Sequence, residues 1–285
     1  GMRILLDLVP NHLSKDHPWF RSALAGGPER DWFFIEDDGS YLMFFSSHTM
    51  PKVNLDHPEA RSAMIDVASY WIEEFGVDGD RIDHALGPSE SFFAALTECI
   101  EAISPDAWLF GEVTSTPQLS RRYGGILDGV TDFPFAYGMR EYFAGNITAR
   151  DLAEIERESR AALDPEEFSW IRFVDNHDMA RALHGWDDDH EALEAALRLL
   201  FGVPGAPSIF YGTEQALSHE MSEAEGGLSV GRVGMTLDPD HPAVATVTDI
   251  IERWRSHRPR NGEPMLWNAD DTAWTWGDLS GSVET

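Results

Sequence analysis

The sequence predicts an α/β fold built on a parallel sheet, and three observations point there. Six short, apolar, strand-like runs alternate with stretches of helical period, the order that produces a parallel sheet with crossover helices. The runs are nearly continuous in apolar residues, as strands covered on both faces must be. Polar residues gather where the runs end, at Asn11-His12, Arg81/Asp83, Glu112 and Asn176-His177-Asp178. In a (β/α)8 barrel those carboxyl ends carry the active site. Alternation alone leaves a doubly wound sheet equally open.

Arg3 to Val9 is the first strand, followed by a loop rich in Gly, Pro and aromatics from about Leu13 to His57. Pro58 to Phe75 reads as helix, with Ala60, Met64, Val67, Ala68, Trp71 and Phe75 near a 3.6 period. Val77 to Asp83 is strand, and Ser89 is the N-cap of a helix running to Ile103. Ala107 to Val113 is strand. Gly129 to Phe133 is a short strand that leads into helical stretches ending at about Leu163. Ser169 to Val174 is strand, His190 to Phe201 helix, Ala206 to Tyr211 strand, and Pro242 to Arg255 helix, with the proline in its first turn. Pro264 to Trp267 and Ala273 to Trp276 read as a hairpin around Asn268 to Asp271.

A chain of 285 residues can bury a sizeable core. Its charge is unusual: 50 acids against 21 bases leave −29, and the only lysines are Lys15 and Lys52. Such a field repels nucleic acid and anionic membranes, so neither is expected as a partner. The acidic runs at Glu36-Asp37-Asp38, Asp187-Asp188-Asp189 and Glu220 to Glu225 read as solvated surface. Many acids with few lysines also suit a high-salt environment, in which stability would rise with salt. No apolar run is long enough for a membrane span. Gly1-Met2-Arg3 leads straight into a strand with no leader-like start, which favours the cytoplasm, although composition leaves the compartment open. One cysteine excludes an internal disulfide and a multi-thiolate zinc site. Cys99 reads as a small buried hydrophobe, and Trp186, Trp267, Trp274 and Trp276 read as core.

Four clusters carry the chemistry: Asp7-Leu-Val-Pro-Asn11-His12, Gly79-Asp-Arg81-Ile-Asp83, Phe110-Gly-Glu112-Val113 and Phe173-Val-Asp175-Asn176-His177-Asp178. A single acid at a strand end is often a helix cap, but four clusters in this order are a specific signal. Residues 81 and 83 of one strand point to one side, so Arg81 sits beside Asp83 and favours its charged, nucleophilic form. Negative charge from Asp83 and Asp178 would raise the affinity of Glu112 for a proton, as an acid catalyst needs. His84, next to Asp83, faces the other way and reads as packing.

These clusters together resemble the α-amylase family of glycoside hydrolases. Met50-Pro-Lys-Val-Asn54 and Gly202-Val-Pro-Gly-Ala-Pro-Ser-Ile-Phe-Tyr211-Gly212-Thr-Glu214 extend the resemblance over Arg3 to about Trp276. It implies a (β/α)8 TIM-type barrel, present as an incomplete six-unit portion (strands three to eight). Residues 1–258 would form that portion, including a short loop domain at 13–57, and residues 259–285 would begin a truncated C-terminal β domain. The resemblance makes Asp83 the nucleophile, Glu112 the general acid/base and Asp178 the acid that binds and distorts the sugar. Arg81 stands beside the nucleophile, His12 and His177 hold sugar hydroxyls, and Asp7 and Asn11 brace the site. The implied activity is retaining hydrolysis of α-1,4-glucosidic bonds in α-glucans or maltooligosaccharides by double displacement. Transglycosylation and an inactive amylase-like fragment stay open as alternatives.

The sequence departs from the family at three places. Two strand–helix units that normally precede Arg3 are absent. This exposes the edges at Arg3–Val9 and Ala206–Tyr211, so a homo-oligomer covering them, or weak activity of the isolated chain, is an expectation. Lys52 stands where the family's loop-domain motif usually has Asp, and Gly87 where a calcium-binding histidine carbonyl would be. Calcium needs six to eight oxygens, so no cofactor and no metal are expected. Asp80 replaces an aromatic and faces the helix layer, where a lone carboxylate is costly.

Overall fold

The apolar runs ahead of Asn11, Asp83 and Glu112 do form strands, and they pair in parallel. The structure, a computed structural model, describes residues 1–162, 168–219, 232–257, 265–276 (for 276 the backbone alone) and 279–282. It divides into two units, Gly1–Thr114 with Arg122–Thr131, and Ser115–Arg121 with Asp132–Thr285. In the first unit β1 (Leu6–Leu8), β2 (Gly79–Ile82), β3 (Trp108–Gly111) and β4 (Gly129–Thr131) lie side by side. Asp7 is opposite Arg81, Arg81 opposite Phe110, and Phe110 opposite Gly129. Gly79, at φ 145°, permits the β2–β3 approach: a Cβ there would lie 2.0 Å from the Trp108 carbonyl oxygen.

The two longer helices of the first unit, α2 (Pro58–Phe75) and α3 (Glu90–Ile103), connect these strands and pack against each other; a shorter α1 (Pro18–Leu24) precedes them. α2 buries Ala60, Met64, Ala68 and Ile72, a row at steps of four, and ends on left-handed Gly76. Val67, Trp71 and Phe75, predicted on the same stripe, lie on the neighbouring row and are exposed. α3 buries Phe92, Phe93, Leu96 and Ile100. Ser89 is at the predicted N-cap position, but its hydroxyl donates to Asp56 Oδ1 instead of capping the helix. Cys99 is half-buried beside the Ser69 hydroxyl, 3.5 Å away, less enclosed than predicted. The 13–57 stretch is more ordered than a plain loop. Its bridges Phe33–Val53, Ile35–Tyr41, Met43–Pro51 and His12–Lys52 fold it onto the end of β1 around buried Phe20, Phe33 and Val53.

The second unit contains α4 (Pro117–Ser120), α5 (Phe133–Phe143), α6 (Ala149–Ala162), β5 (Ser169–Arg172), α7 (His190–Gly202), β6 (Ala206–Pro207) and α8 (Pro242–His257). β5 pairs with β6 in parallel, Ile171 opposite Ala206. β6 is far shorter than the predicted Ala206–Tyr211. Pro207 has no N–H to extend a ladder, and left-handed Gly212 turns the chain. β7 (Met265–Trp267), β8 (Ala273–Trp276) and an unpredicted β9 (Leu279–Ser282) form an antiparallel sheet. Met265, Trp274 and Leu279 share one core with Leu197, Leu200 and Phe201 of α7, and Trp186 joins it. The predicted boundary at 258/259, the end of the helical stretch at Leu163, Pro264, the Trp276 ring and the acidic run 220–225 lie outside the described residues. Arg172 ties β5 to its helices through Asp132 (3.3 Å) and Glu156 (3.6 Å), all three buried. No described helix is long and apolar enough to cross a membrane.

Candidate active site

The ends of β1, β2 and β3 gather three carboxylates around one guanidinium. Arg81 Nη1 donates to Asp7 Oδ1 at 2.6 Å and to Asp83 Oδ1 at 2.7 Å, and Nη2 lies 2.8 Å from Glu112 Oε1. The side chains of Arg81, Asp83 and Glu112 are mostly buried, whereas Asp7 is half-exposed. Burial opposes the charge on Arg81, but Glu112, Asp7 and Asp83 outweigh it and push its pKa up. The sequence assigns Arg81 to Asp83; the structure shares it with Glu112 as well. Arg81 lies almost equally close to the two carboxyls, so it does not by itself distinguish one from the other.

His12 follows β1 and stacks flat on Phe44, with ring centres 4.3 Å apart; the Asn11 amide nitrogen is 3.4 Å from its Nδ1. Burial lowers the His12 pKa, with the Asp83 charge acting the other way. A neutral imidazole can both donate to and accept from sugar hydroxyls. His84 does more than pack. β2 ends at Ile82, so strand alternation no longer governs it, and at φ 42° its backbone N–H donates to Glu112 Oε2 at 3.1 Å. Its ring meets Phe44 edge-on at 4.5 Å.

Asn11 Oδ1 is buried without a hydrogen-bond partner among the described residues, the kind of oxygen that a cation would use. A cavity of about 140 Å³ beside it is lined by Asn11, Lys52, Asn54, Asp56 and Gly87, among others. Among the described residues no three His, Cys, Asp or Glu side chains gather to hold a metal. The side chains that line it include two amides, Asn11 and Asn54, and one aspartate beside a lysine, fewer than calcium's shell of six to eight oxygens.

His177 and Asp178 follow β5 and belong to the second unit. His177 Nε2 is 3.1 Å from Asp178 Oδ2, and Arg232 donates from Nη2 to Asp178 Oδ1 at 3.0 Å and from Nε to the His177 carbonyl at 3.3 Å. The His177 hydrogen bond first, then Arg232, hold the Asp178 carboxyl below the usual carboxylate range against the effect of burial. Asp175, 2% exposed, braces this turn by accepting from Thr213 Oγ1 at 2.8 Å and the Ala182 N–H at 3.2 Å. The structure thus brings Asp7, Asn11, His12, Arg81, Asp83 and Glu112 together in one unit and pairs His177 with Asp178 in the other. Arg232 is absent from the sequence prediction, because no motif marks it.

A family model described as "Alpha amylase, catalytic domain" matches residues 1–41 and 32–278. The chain is 35% identical over 231 residues to "Alpha-amylase 2" of Dictyoglomus thermophilum, covering 79% of this chain and 40% of that protein. It is 31% identical over 229 residues to the "Intracellular maltogenic amylase" of Bacillus subtilis, covering 77% and 39%. It therefore spans about 40% of the length of these curated relatives. The ligand-free cyclic α-maltosyl-(1→6)-maltose hydrolase of Arthrobacter globiformis matches with a TM-score of 0.84 over 96% of this chain and 64% of that one, at 24% identity. That likeness bears on the fold, and it replaces the doubly wound alternative with a portion of a TIM-type barrel. On the family model's match across the strand-end clusters, and the identity to these amylases, the chain belongs to the α-amylase family.

Proposed function

We propose that the chain carries the catalytic carboxylates of a retaining α-glucan hydrolase acting on α-1,4-linked glucose chains and maltooligosaccharides. The observation that carries this reading is the bridge from Asp83 through Arg81 to Glu112. Two carboxyls on one guanidinium suit the roughly 5–5.5 Å separation of a retaining pair better than the roughly 6.5–9.5 Å of an inverting one. The names of the amylase relatives support an α-glucan substrate.

In this reading an Asp83 oxygen attacks the anomeric carbon while Glu112 gives its proton to the departing glycosidic oxygen. Glu112 then takes a proton from water, whose oxygen bonds to that carbon as the Asp83 ester bond breaks. In the first unit His12 holds sugar hydroxyls, and Asp7 and Asn11 brace the carboxylates; the family resemblance gives His177 and Asp178 of the second unit sugar-binding roles. No metal takes part; the Asn11–Lys52 surroundings support that reading. The test is reducing-sugar release from starch and maltotetraose, with the first product's anomer read by NMR, for the chain and for Asp83→Asn. An α-anomer lost on substitution is expected. A β-anomer, activity that survives Asp83→Asn, or no release at all would sink the reading.

A further inference from the structure

The turn that follows β2 grips Glu112 at two points. The His84 N–H donates to Glu112 Oε2 at 3.1 Å, and the Ala85 N–H donates to the Glu112 carbonyl at 2.9 Å. His84 is held at φ 42°, the left-handed region that residues with a Cβ avoid and that clusters at functional sites. Ala85 is fully buried against Gly111, the residue before Glu112; a Cβ on that glycine would lie 2.9 Å from the Ala85 Cβ. Such a backbone persists only when its surroundings over-determine it, and one group that does so comes from outside the strand-end clusters. The Tyr123 hydroxyl donates to the Ala85 carbonyl at 2.8 Å. Tyr123 is 7% exposed and is itself fixed. Its ring meets Phe93 of α3 edge-on at 5.7 Å. Its neighbour Arg122 donates to Glu90 of the same helix from Nε at 3.0 Å and from Nη2 at 2.6 Å. Burial pushes the phenol's pKa up, so it stays a neutral donor. A phenylalanine would fill the same space. The hydroxyl adds one directed bond, to a carbonyl on the turn that holds the acid.

We propose that Tyr123 is a positioning residue for Glu112: by holding the Ala85 carbonyl it sets the 84–85 turn, and the turn sets the plane of the Glu112 carboxyl. The proposal rests on the role of Glu112 given above. An acid delivers its proton to a glycosidic oxygen only from within hydrogen-bond reach, and a misplacement of about 1 Å can cost about 10²-fold in rate. Arg81 reaches Oε1 from the strand, and the turn holds Oε2. Without the hydroxyl, the buried Ala85 carbonyl loses the Tyr123 donor, a loss that a buried acceptor does not tolerate cheaply. The turn then shifts, and the His84 N–H no longer points at Oε2.

The experiment compares the chain with Tyr123→Phe on maltotetraose and on α-maltosyl fluoride. When the C–F bond breaks, fluoride departs with far less need of a proton than a sugar alkoxide has, while Asp83 attacks in the same way. With Tyr123→Phe we expect kcat/KM for maltotetraose to fall roughly tenfold, part of the roughly 10²–10⁴-fold that a positioned acid supplies. For the fluoride it should stay within about twofold of wild type. Phe93→Leu disturbs the seat of the Tyr123 ring and keeps the hydroxyl, so it should lower the Tm without changing the ratio between the substrates. Amide hydrogen exchange reads the turn without any turnover. The His84 amide should be protected in wild type and should exchange roughly tenfold faster in Tyr123→Phe. Equal losses on both substrates, no loss on either, or a ratio that moves as far in Phe93→Leu overturns the positioning role. So does a His84 amide that exchanges freely in wild type, or at the same rate in both chains. Faster exchange in Tyr123→Phe, with no turnover by any chain, supports the Tyr123 anchor and sinks only the hydrolase reading.

Discussion

Arg81 reaches Asp83 with Nη1 at 2.7 Å and at the same time Glu112 with Nη2 at 2.8 Å, so one planar group spaces the two carboxyls. A lysine keeps the charge but is a point donor without the fork. Arg81→Lys is expected to lower kcat/KM by about 10²-fold or more through misplacement of the pair, with the chain still folded by circular dichroism. Activity within about threefold of wild type would show that the bridge does not position the carboxyls.

Arg232 holds Asp178 across 3.0 Å. Its removal takes away one of the interactions that keep the Asp178 carboxyl below the usual range, while the His177 hydrogen bond remains. Asp178 in Arg232→Ala therefore takes up its proton at higher pH. The acid limb of kcat/KM against pH is expected to move upward, with the alkaline limb unchanged. An acid limb that stays where it is would mean that Asp178 does not govern it.

What the sequence predicts well and badly has a physical pattern. Asp7, Arg81, Asp83 and Glu112 are legible because strand ends announce themselves by an apolar run that stops at a charge. Parallel register then places neighbouring ends together, as Asp7 opposite Arg81 shows. His84 is misread because alternation is a property of strands, and β2 stops two residues earlier. Arg232 is illegible because its partner is distant in sequence and nothing periodic connects them. β9 is missed because Leu279-Ser-Gly-Ser282 has little strand propensity. Gly281 serves there to admit the Trp274 ring, which a Cβ would approach to 2.8 Å.

Lys52 lines the cavity beside the unpartnered Asn11 Oδ1. A calcium bound at a hundred times its Kd would stabilise the chain by about 2.7 kcal/mol, a shift of several degrees in Tm. We expect the Tm in calcium and in a chelator to agree within about 1 °C. A calcium-dependent rise of several degrees would show that the chain binds calcium despite Lys52.

The net charge of −29 predicts self-repulsion that salt screens. The Tm should rise between about 0.1 and 1 M NaCl, where the Debye length falls from about 10 to 3 Å, and level off beyond. A Tm flat over that range would mean that the acids are already compensated locally.

Asp80 lies on β2 between Leu6 and Leu109, is 1% exposed, and its Oδ2 has no hydrogen-bond partner among the described residues. Burial first, and the Asp7 charge second, raise its pKa from 3.8 to about 7. Between those two values the folded chain holds a proton that the unfolded chain has released. Stability tied to this group is therefore full below about pH 4 and falls by up to roughly 1.4 kcal/mol per unit as pH rises to about 7. Above that the loss is complete and constant. Asp80→Asn keeps the shape and cannot ionise, so its urea-unfolding free energy should exceed that of wild type by roughly 2–4 kcal/mol at pH 8. The difference between the two should shrink steadily toward pH 4, a comparison in which the other acids cancel. A variant less stable than wild type at pH 8, or a difference independent of pH, would show that a partner keeps Asp80 charged in the folded chain.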